Sequence, residues 1–377
     1  MIKAKPYIDT SPSVYGRFAT LAAEYKALNF TQGAPAFDTP EWLIDRALFH
    51  MQHAKNQYSP IPGTIALRDA IVTKTKKCYN AEINIENVAI TAGAQEGLFT
   101  LISAYIGQGD EVIMFDPVFD TYVGATKLNQ GKCVRLKLLA DGRIDIPAIA
   151  NAITDKTKLI ILNSPHNPMG TVISEDEFKE IAKIVKNKNL LVISDEVYEH
   201  IYAGESFTSA IEILELRDKL IVLQSLGKTY NVTGWRQGVV IAPTEVIRNI
   251  LAVKQFATFS AVHPLQIALA EGIIEHPEYY INLNKLYKKQ NQLLRDNLKG
   301  TRFKVLEWHG SPFQMLDYSD ISNEFDEDFA SNLIKEHGIG LVPISSLFEK
   351  PQNGLLRLCF AKKDDEIIKG AKILAKI

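Results

Sequence analysis

Residues 219–243 read KLIVLQSLGKTYNVTGWRQGVVIAP. Two apolar runs, KLIVLQS and GVVIAP, flank a polar segment that carries one lysine, Lys228, and one arginine, Arg236. Neither run alternates apolar with polar residues. A nearly continuous apolar run of this length is how a strand covered on both faces reads. The segment between them is either an ordinary connection or a place where a buried sheet delivers a lysine amine and an anion-binding guanidinium to one point.

The same kind of run recurs upstream as NVAIT (87–91), EVIMF (111–115), KCVRLK (132–137), KLIILN (158–163) and LLVIS (190–194), which makes seven runs with the two above. Helical patterns separate them, among them AQEGLFTLISAYI and SEDEFKEIAKIVKN. Ser174 opens the latter with Glu177 three residues on, the capping-box spacing of a helix start. Strand–helix alternation implies an α/β layer on a mostly parallel seven-stranded sheet. After Pro243 the pattern turns helical, with EHPEYYINLNKLYKKQNQLLRDNLKG as one long amphipathic stretch ended by Gly300. Beyond it FKVLEW, PFQMLDY, IGLVP and GLLRLCFA read as short strands, and DFASNLIKEHG and DDEIIKGAKILAKI as helices. The expected division is an irregular N-terminal segment, 1–40, packing with the small domain or a partner subunit; a large domain, 41–280; and a small C-terminal α+β domain, 281–377.

A chain of 377 residues is too long for one small core. Its net charge of −2 offers nothing to nucleic acid or an anionic membrane. The three cysteines, Cys78, Cys133 and Cys359, form no CxxC pair, so no metal site is expected and a reducing, cytoplasmic compartment is the simpler reading. The N-terminal MIKAKPYIDTSPSVYG lacks an apolar core of the signal-peptide kind, and no apolar run is long enough to span a bilayer.

In an open parallel sheet, ligands bind beyond the carboxyl ends of the strands. After NVAIT comes Gly93, then Ala94 and Gln95, whose free amides at a helix start attract an anion; a plain strand–helix turn has the same residues. After KLIILN comes SPHNPMG, where two prolines bracket His166 and Asn167 and stiffen a loop that can aim the Asn167 amide or simply turn. After LLVIS comes Asp195, a carboxylate at the end of a buried strand that needs a cation or a hydrogen-bond donor, or caps a helix. Ser225 and Arg236 bracket Lys228, and a guanidinium matches phosphate oxygens in geometry. A buried lysine amine becomes a nucleophile. Arg357 lies inside the apolar GLLRLCFA and must find an anion, of the protein or of a ligand. Tyr58 precedes a Pro/Gly loop.

Taken in order, TAGAQEG, DPVFDTY, NSPHNPMG, SDEVYEH, SLGKTYNVTGWRQG and LLRLCF resemble the class I/II aminotransferases, pyridoxal-phosphate enzymes of fold type I. The resemblance runs from NFTQGAPAFDTP to the C-terminal helix and is nearest the methionine and kynurenine aminotransferase branch, through NQYSPIPG and GKTYNVTGWR. It implies a homodimer with shared active sites and pyridoxal 5′-phosphate as cofactor. It implies Lys228 as the Schiff-base lysine and proton carrier, and Asp195 as the partner of the ring nitrogen. Asn167 and Tyr198 would donate to the phenolic oxygen, and Phe119 would stack on the ring. Gly93, Ala94, Gln95, Ser225 and Arg236 would hold the phosphate, joined by Tyr58 from the partner subunit. Arg357, with Asn167 and the backbone of Gly33 and Ala34, would clamp the substrate carboxylate. The expected reaction moves an amino group from an L-amino acid (methionine, another apolar or aromatic one, or kynurenine) to a 2-oxo acid by a ping-pong route. The alternative is a β-lyase acting on cysteine conjugates or cystathionine. Phe119 replaces a common Tyr, Met169 a common Thr, and Ala34 an often aromatic residue, while Ser311-Pro312-Phe313 departs from the usual segment. A side-chain pocket of Tyr15, Ala34, Tyr122 and Phe259 would be apolar.

Overall fold

The computed structural model describes residues 12–53 and 55–377; the first eleven residues of the N-terminal segment lie outside them. After a two-residue strand, β1 (Leu28–Asn29), the seven apolar runs all form strands of one sheet: β2 (Val88–Thr91), β3 (Glu111–Asp116), β4 (Lys132–Lys137), β5 (Thr157–Asn163), β6 (Leu191–Asp195), β7 (Leu220–Ser225) and β8 (Gly238–Ile241). Their order across the sheet is β2-β8-β7-β6-β5-β3-β4. Only β8 runs against its neighbours. The continuous apolar runs have a direct cause in packing. Leu220 and Val222 enter a core on one face, and Ile221 and Leu223 enter a second core on the other. Successive side chains of a strand point to opposite faces, so two covered faces require apolar residues at every position.

Helices cover both faces. The first core takes Leu43 and Ala47 from helix Glu41–Gln52, and Phe178, Ile181 and Val185 from helix Glu175–Val185. The second takes Leu98, Leu101 and Ile102 from helix Ala94–Tyr105, and Val246, Ile247 and Ile250 from helix Thr244–Ala257. The Ser174 capping box is present.

A third core belongs to a smaller antiparallel sheet of β9 (Lys304–Val305), β10 (Phe313–Asp317), β12 (Val342–Pro343) and β13 (Leu355–Cys359), with helices Asp326–His337 and Asp364–Leu374 against it. IGLVP is not one strand: β11 (Ile339–Gly340) pairs with β1 in parallel, while β12 joins β13. Tyr280 packs in the first core and Leu283 in the third.

Two further expectations are corrected. Residues 14–24 are not irregular but a helix, Val14–Glu24, whose Val14, Phe18 and Ala22 face the third core at four-residue spacing. The stretch from Glu275 to Gly300 is not one helix. One helix ends at Glu275, a short turn runs Pro277–Ile281, and a third piece runs Leu283–Asn297. Pro277 has no N–H to continue the ladder and suits the start of a helix. No helix among the described residues is long and apolar enough to cross a membrane.

Candidate active site

The loops leaving β2, β3, β5, β6 and β7 open on one edge of the large sheet. Because β8 is antiparallel, its entry loop, with Arg236, lies on the same edge. There they meet the N-terminal segment and β13 around a cleft of about 470 Å³. Gly33, Ala34, Ala94, Gln95, Phe119, Asn167, Asp195, Tyr198, Ser225, Lys228, Arg236 and Arg357 all line it. Gly93 lies directly beneath: a Cβ on it would sit 2.3 Å from Nη2 of Arg236. Gly238 is also forced to be glycine, since a Cβ there would lie 2.3 Å from the Ala94 nitrogen. Small residues thus bring the start of β8 against the turn that opens helix Ala94–Tyr105, placing free amides, the Ser225 hydroxyl and the Arg236 guanidinium side by side. Tyr58 is not in the cleft of its own chain. It is 81 % exposed and packs edge-on against Phe259, with ring centroids 5.2 Å apart. Phe259, expected in the side-chain pocket, does not line the cleft either.

The Lys228 amine donates to the Gly33 carbonyl at 2.5 Å. Burial, with the guanidiniums of Arg357 and Arg236 adding repulsion, pulls it down to about 8. Asp195 is buried and its carboxyl is pushed up to about 6 by burial, against the pull of a hydrogen bond from Tyr122 Oη at 2.6 Å. Asn167 follows the cis Ser164–Pro165 bond and precedes a cis bond to Pro168. Its backbone N–H donates to Asn163 Oδ1 at 2.7 Å. Its Oδ1 accepts from Arg357 Nη1 at 2.9 Å, leaving the amide NH₂ to donate. Arg357 is 2 % exposed, and its other hydrogen bond goes from Nη2 to the Thr31 carbonyl at 2.6 Å. Among the described residues its Nε has no partner. The guanidinium is held between the rings of Tyr15 and Phe313, 4.4 and 4.0 Å from their centroids. Both of its acceptors among the described residues are neutral, so the anion required by an arginine in an apolar strand is left for a ligand to supply.

Sequence reasoning did not find the knot behind the site. Lys74 Nζ donates to Glu199 Oε1 at 2.7 Å and to Gln224 Oε1 at 3.2 Å, Gln224 Nε2 donates to Glu199 Oε2 at 2.9 Å, and the Tyr79 hydroxyl also donates to Glu199. Burial alone would raise the Glu199 carboxyl; Lys74, His200 and Tyr79 together hold it below its usual value. Glu199 follows Tyr198, and Gln224 precedes Ser225, so the knot ties the exits of β6 and β7 to each other. Its members stand more than a hundred residues apart in the case of Lys74 and Glu199, and no local pattern joins them.

The donor set fits pyridoxal 5′-phosphate. A glycine-floored cradle of amides, hydroxyl and guanidinium suits a phosphate. A buried carboxylate suits a protonated ring nitrogen, and an amine of depressed basicity lines the same cleft.

The family model for aminotransferase class I and II matches residues 25–372. The chain is 36 % identical to a methionine aminotransferase of Escherichia coli strain K12 over 369 residues, 97 % of this chain and 96 % of the relative. It is 32 % identical to a kynurenine–oxoglutarate transaminase of Dictyostelium discoideum over 420 residues, 99 % of this chain and 96 % of the relative. The solved structure of YbdL from Escherichia coli, reported with a methionine aminotransferase function, superimposes with a TM-score of 0.97 at 35 % identity, covering 100 % of both chains. The cleft and the likenesses agree: the chain belongs to the class I and II aminotransferases of fold type I, and it is a pyridoxal-phosphate-dependent transaminase.

Proposed function

We propose that this enzyme moves the amino group of an L-amino acid with an uncharged side chain, methionine foremost, to a 2-oxo acid by a ping-pong route. The observation that carries the reading is Arg357, a buried guanidinium with an unpartnered Nε in the same cleft as the Lys228 amine. A carboxylate on that guanidinium leaves the α-carbon of an amino acid facing Lys228. Asn167, already bonded to Arg357, steadies the clamp and keeps its NH₂ for the cofactor's phenolic oxygen. Ser225, Arg236 and the amides of Ala94 and Gln95 hold the phosphate, Phe119 covers the ring, and Asp195 keeps the ring nitrogen protonated. When bound, pyridoxal phosphate supplies the electron sink for the carbanion at Cα. Lys228 Nζ, its basicity lowered by burial, takes the Cα proton and returns one on the far side of the transferred nitrogen.

Three lining residues are cationic, Lys228, Arg236 and Arg357, and each has a task in this reading. Among the described residues, the lining around Tyr15, Gly16, Ala19 and Ala34 offers no further cation for a side-chain carboxylate. The names of the Escherichia coli and Dictyostelium relatives support uncharged donors, and they favour transfer over β-elimination. In a panel of donors, kcat/KM for L-methionine is expected to exceed that for L-aspartate by roughly 10²-fold or more, since the latter buries an unpaired carboxylate. Equal use of the two would sink the substrate assignment.

The same reading makes the protein a homodimer in which Tyr58 reaches the phosphate of the partner's site. Its support is the exposure of Tyr58, with Ile65 and Val262 also exposed at 65 % and 48 %. Division into 1–40, 41–280 and 281–377 is part of the proposal, supported by the change of core between Tyr280 and Leu283. The free thiols of Cys78, Cys133 and Cys359 suit a cytoplasmic setting.

A further inference from the structure

Tyr122 has no part in the steps above, although its hydroxyl makes the shortest contact to Asp195. The geometry points to Tyr122 as a positioning residue that keeps the Asp195 carboxylate ionised and aimed at the cofactor ring, an inference that rests on the role proposed for Asp195. Tyr122 stands in the first turn of helix Asp120–Leu128 and is 4 % exposed. Its Oη donates to Asp195 Oδ2 at 2.6 Å, and the Val197 N–H reaches Oδ1 at 3.3 Å. Among the described residues no other donor reaches that carboxylate. The backbone of Asp195 is held independently: β6 is paired on both sides, and Asn163 Nδ2 donates to the Asp195 carbonyl at 2.9 Å. The hydroxyl therefore sets the side chain, not the strand. A carboxylate has lone pairs to spare after these two bonds, so one oxygen remains able to take a ring N–H.

The hydroxyl acts on ionisation as well as direction. Burial, and then the charge of Asp195, raises the Tyr122 phenol well above its ordinary value, so it stays a donor. A donor to the charged form favours the anion and opposes the effect of burial on Asp195. The same ring meets Phe119 edge-on, with centroids 5.6 Å apart and planes at 82°. One residue thus braces both the group assigned to the ring face and the group assigned to its nitrogen. The other titratable groups lining the cleft with Asp195 are the hydroxyls of Tyr15 and Tyr198, the Lys228 amine and the guanidiniums of Arg236 and Arg357. His166 is kept neutral by burial, which pulls it down to about 4. Glu196 is turned away, accepting from Ser194 and Ser209.

The test is the affinity of cofactor-free protein for pyridoxal 5′-phosphate between pH 5 and 9, in the wild type, Tyr122→Phe and Asp195→Asn. The ligand's own ionisations are common to all three. The wild type is expected to lose affinity as Asp195 takes a proton. Tyr122→Phe, folded by circular dichroism, loses it about one pH unit higher, because its carboxyl is more basic. 3-Fluorotyrosine at position 122, a stronger donor in the same shape, moves the loss to lower pH. Asp195→Asn binds weakly and lacks this transition. In turnover, Tyr122→Phe lowers kcat about ten-fold with the amino-acid KM within about two-fold. Wild-type and Tyr122→Phe profiles that coincide, with Asp195→Asn lacking the transition, reduce Tyr122 to packing and overturn the inference. An Asp195→Asn profile that follows the wild type overturns the role of Asp195 itself, and the Tyr122 inference with it.

Discussion

Replacing Lys228 by methionine is expected to abolish turnover, by about 10⁴-fold or more, and to stabilise the cofactor-free protein near neutral pH. The first effect follows from removing the only lysine in the cleft lining among the described residues, the group proposed both to bond the cofactor and to carry the proton. The visible absorption that a lysine-bonded cofactor shows should vanish with it. The second effect follows from linkage. Folding lowers the Lys228 amine from 10.5 to about 8, chiefly by burial. Between those values the unfolded chain binds more protons than the folded one, so wild-type stability rises with pH through that window. As pH falls through about 8 the folded protein must carry a buried ammonium, and that contribution is lost. Methionine has no such cost. The variant should therefore exceed the wild type by on the order of 3 kcal/mol at pH 7, and by little above pH 10.5. Urea unfolding of both cofactor-free proteins at the two pH values measures this. A variant no more stable at pH 7 would show that burial does not lower the basicity of the amine.

Arg357→Lys should lower kcat/KM for L-amino acids by roughly 10²–10³-fold. Charge is kept, so the loss is one of shape. The guanidinium is planar and lies between the Tyr15 and Phe313 rings, with Nη1 on Asn167 and Nη2 on Thr31. An ammonium has neither the flat faces nor the fork, and it strips Asn167 of a donor at the same time. Cofactor affinity should change by less than about three-fold, because Arg357 is assigned to substrate and not to cofactor. An amine that lacks the carboxylate, 3-methylsulfanylpropylamine, discriminates further: its slow reaction should be nearly the same in both proteins. Equal kcat/KM for methionine in wild type and variant would remove Arg357 from substrate binding.

What could be read from the chain and what could not divides along the range of the interactions. Most of the strands were legible because they are covered on both faces, so every position of runs such as LIIL (159–162) is apolar, while β4, at the edge of the sheet, is only half-buried and keeps Lys132, Arg135 and Lys137. The cleft was legible because Ala94, Phe119, Asn167, Asp195 and Lys228 each stand at or just past the end of a strand, and in an open parallel sheet ligands bind beyond the carboxyl ends of the strands. Helix Val14–Glu24 carried a signal in Val14, Phe18 and Ala22, but the Pro- and Gly-rich sequence around it obscured the period. The bonds that tune the site were not legible. Tyr122 meets Asp195 across 73 positions, and Lys74 meets Glu199 across 125. These pairings are set by how helices pack on the sheet, and nothing in the neighbouring residues of either partner announces them. Tyr122 in particular looked like a pocket-lining aromatic, since composition says nothing about where a hydroxyl points.

Transfer of an amino group, rather than elimination of a side chain, is tested most directly by mixing the cofactor-loaded enzyme with excess L-methionine and no 2-oxo acid. Transfer is expected to give one equivalent of the corresponding 2-oxo acid per subunit, no ammonia, and turnover that resumes only when a 2-oxo acid is added. Continued release of ammonia without an acceptor would contradict it.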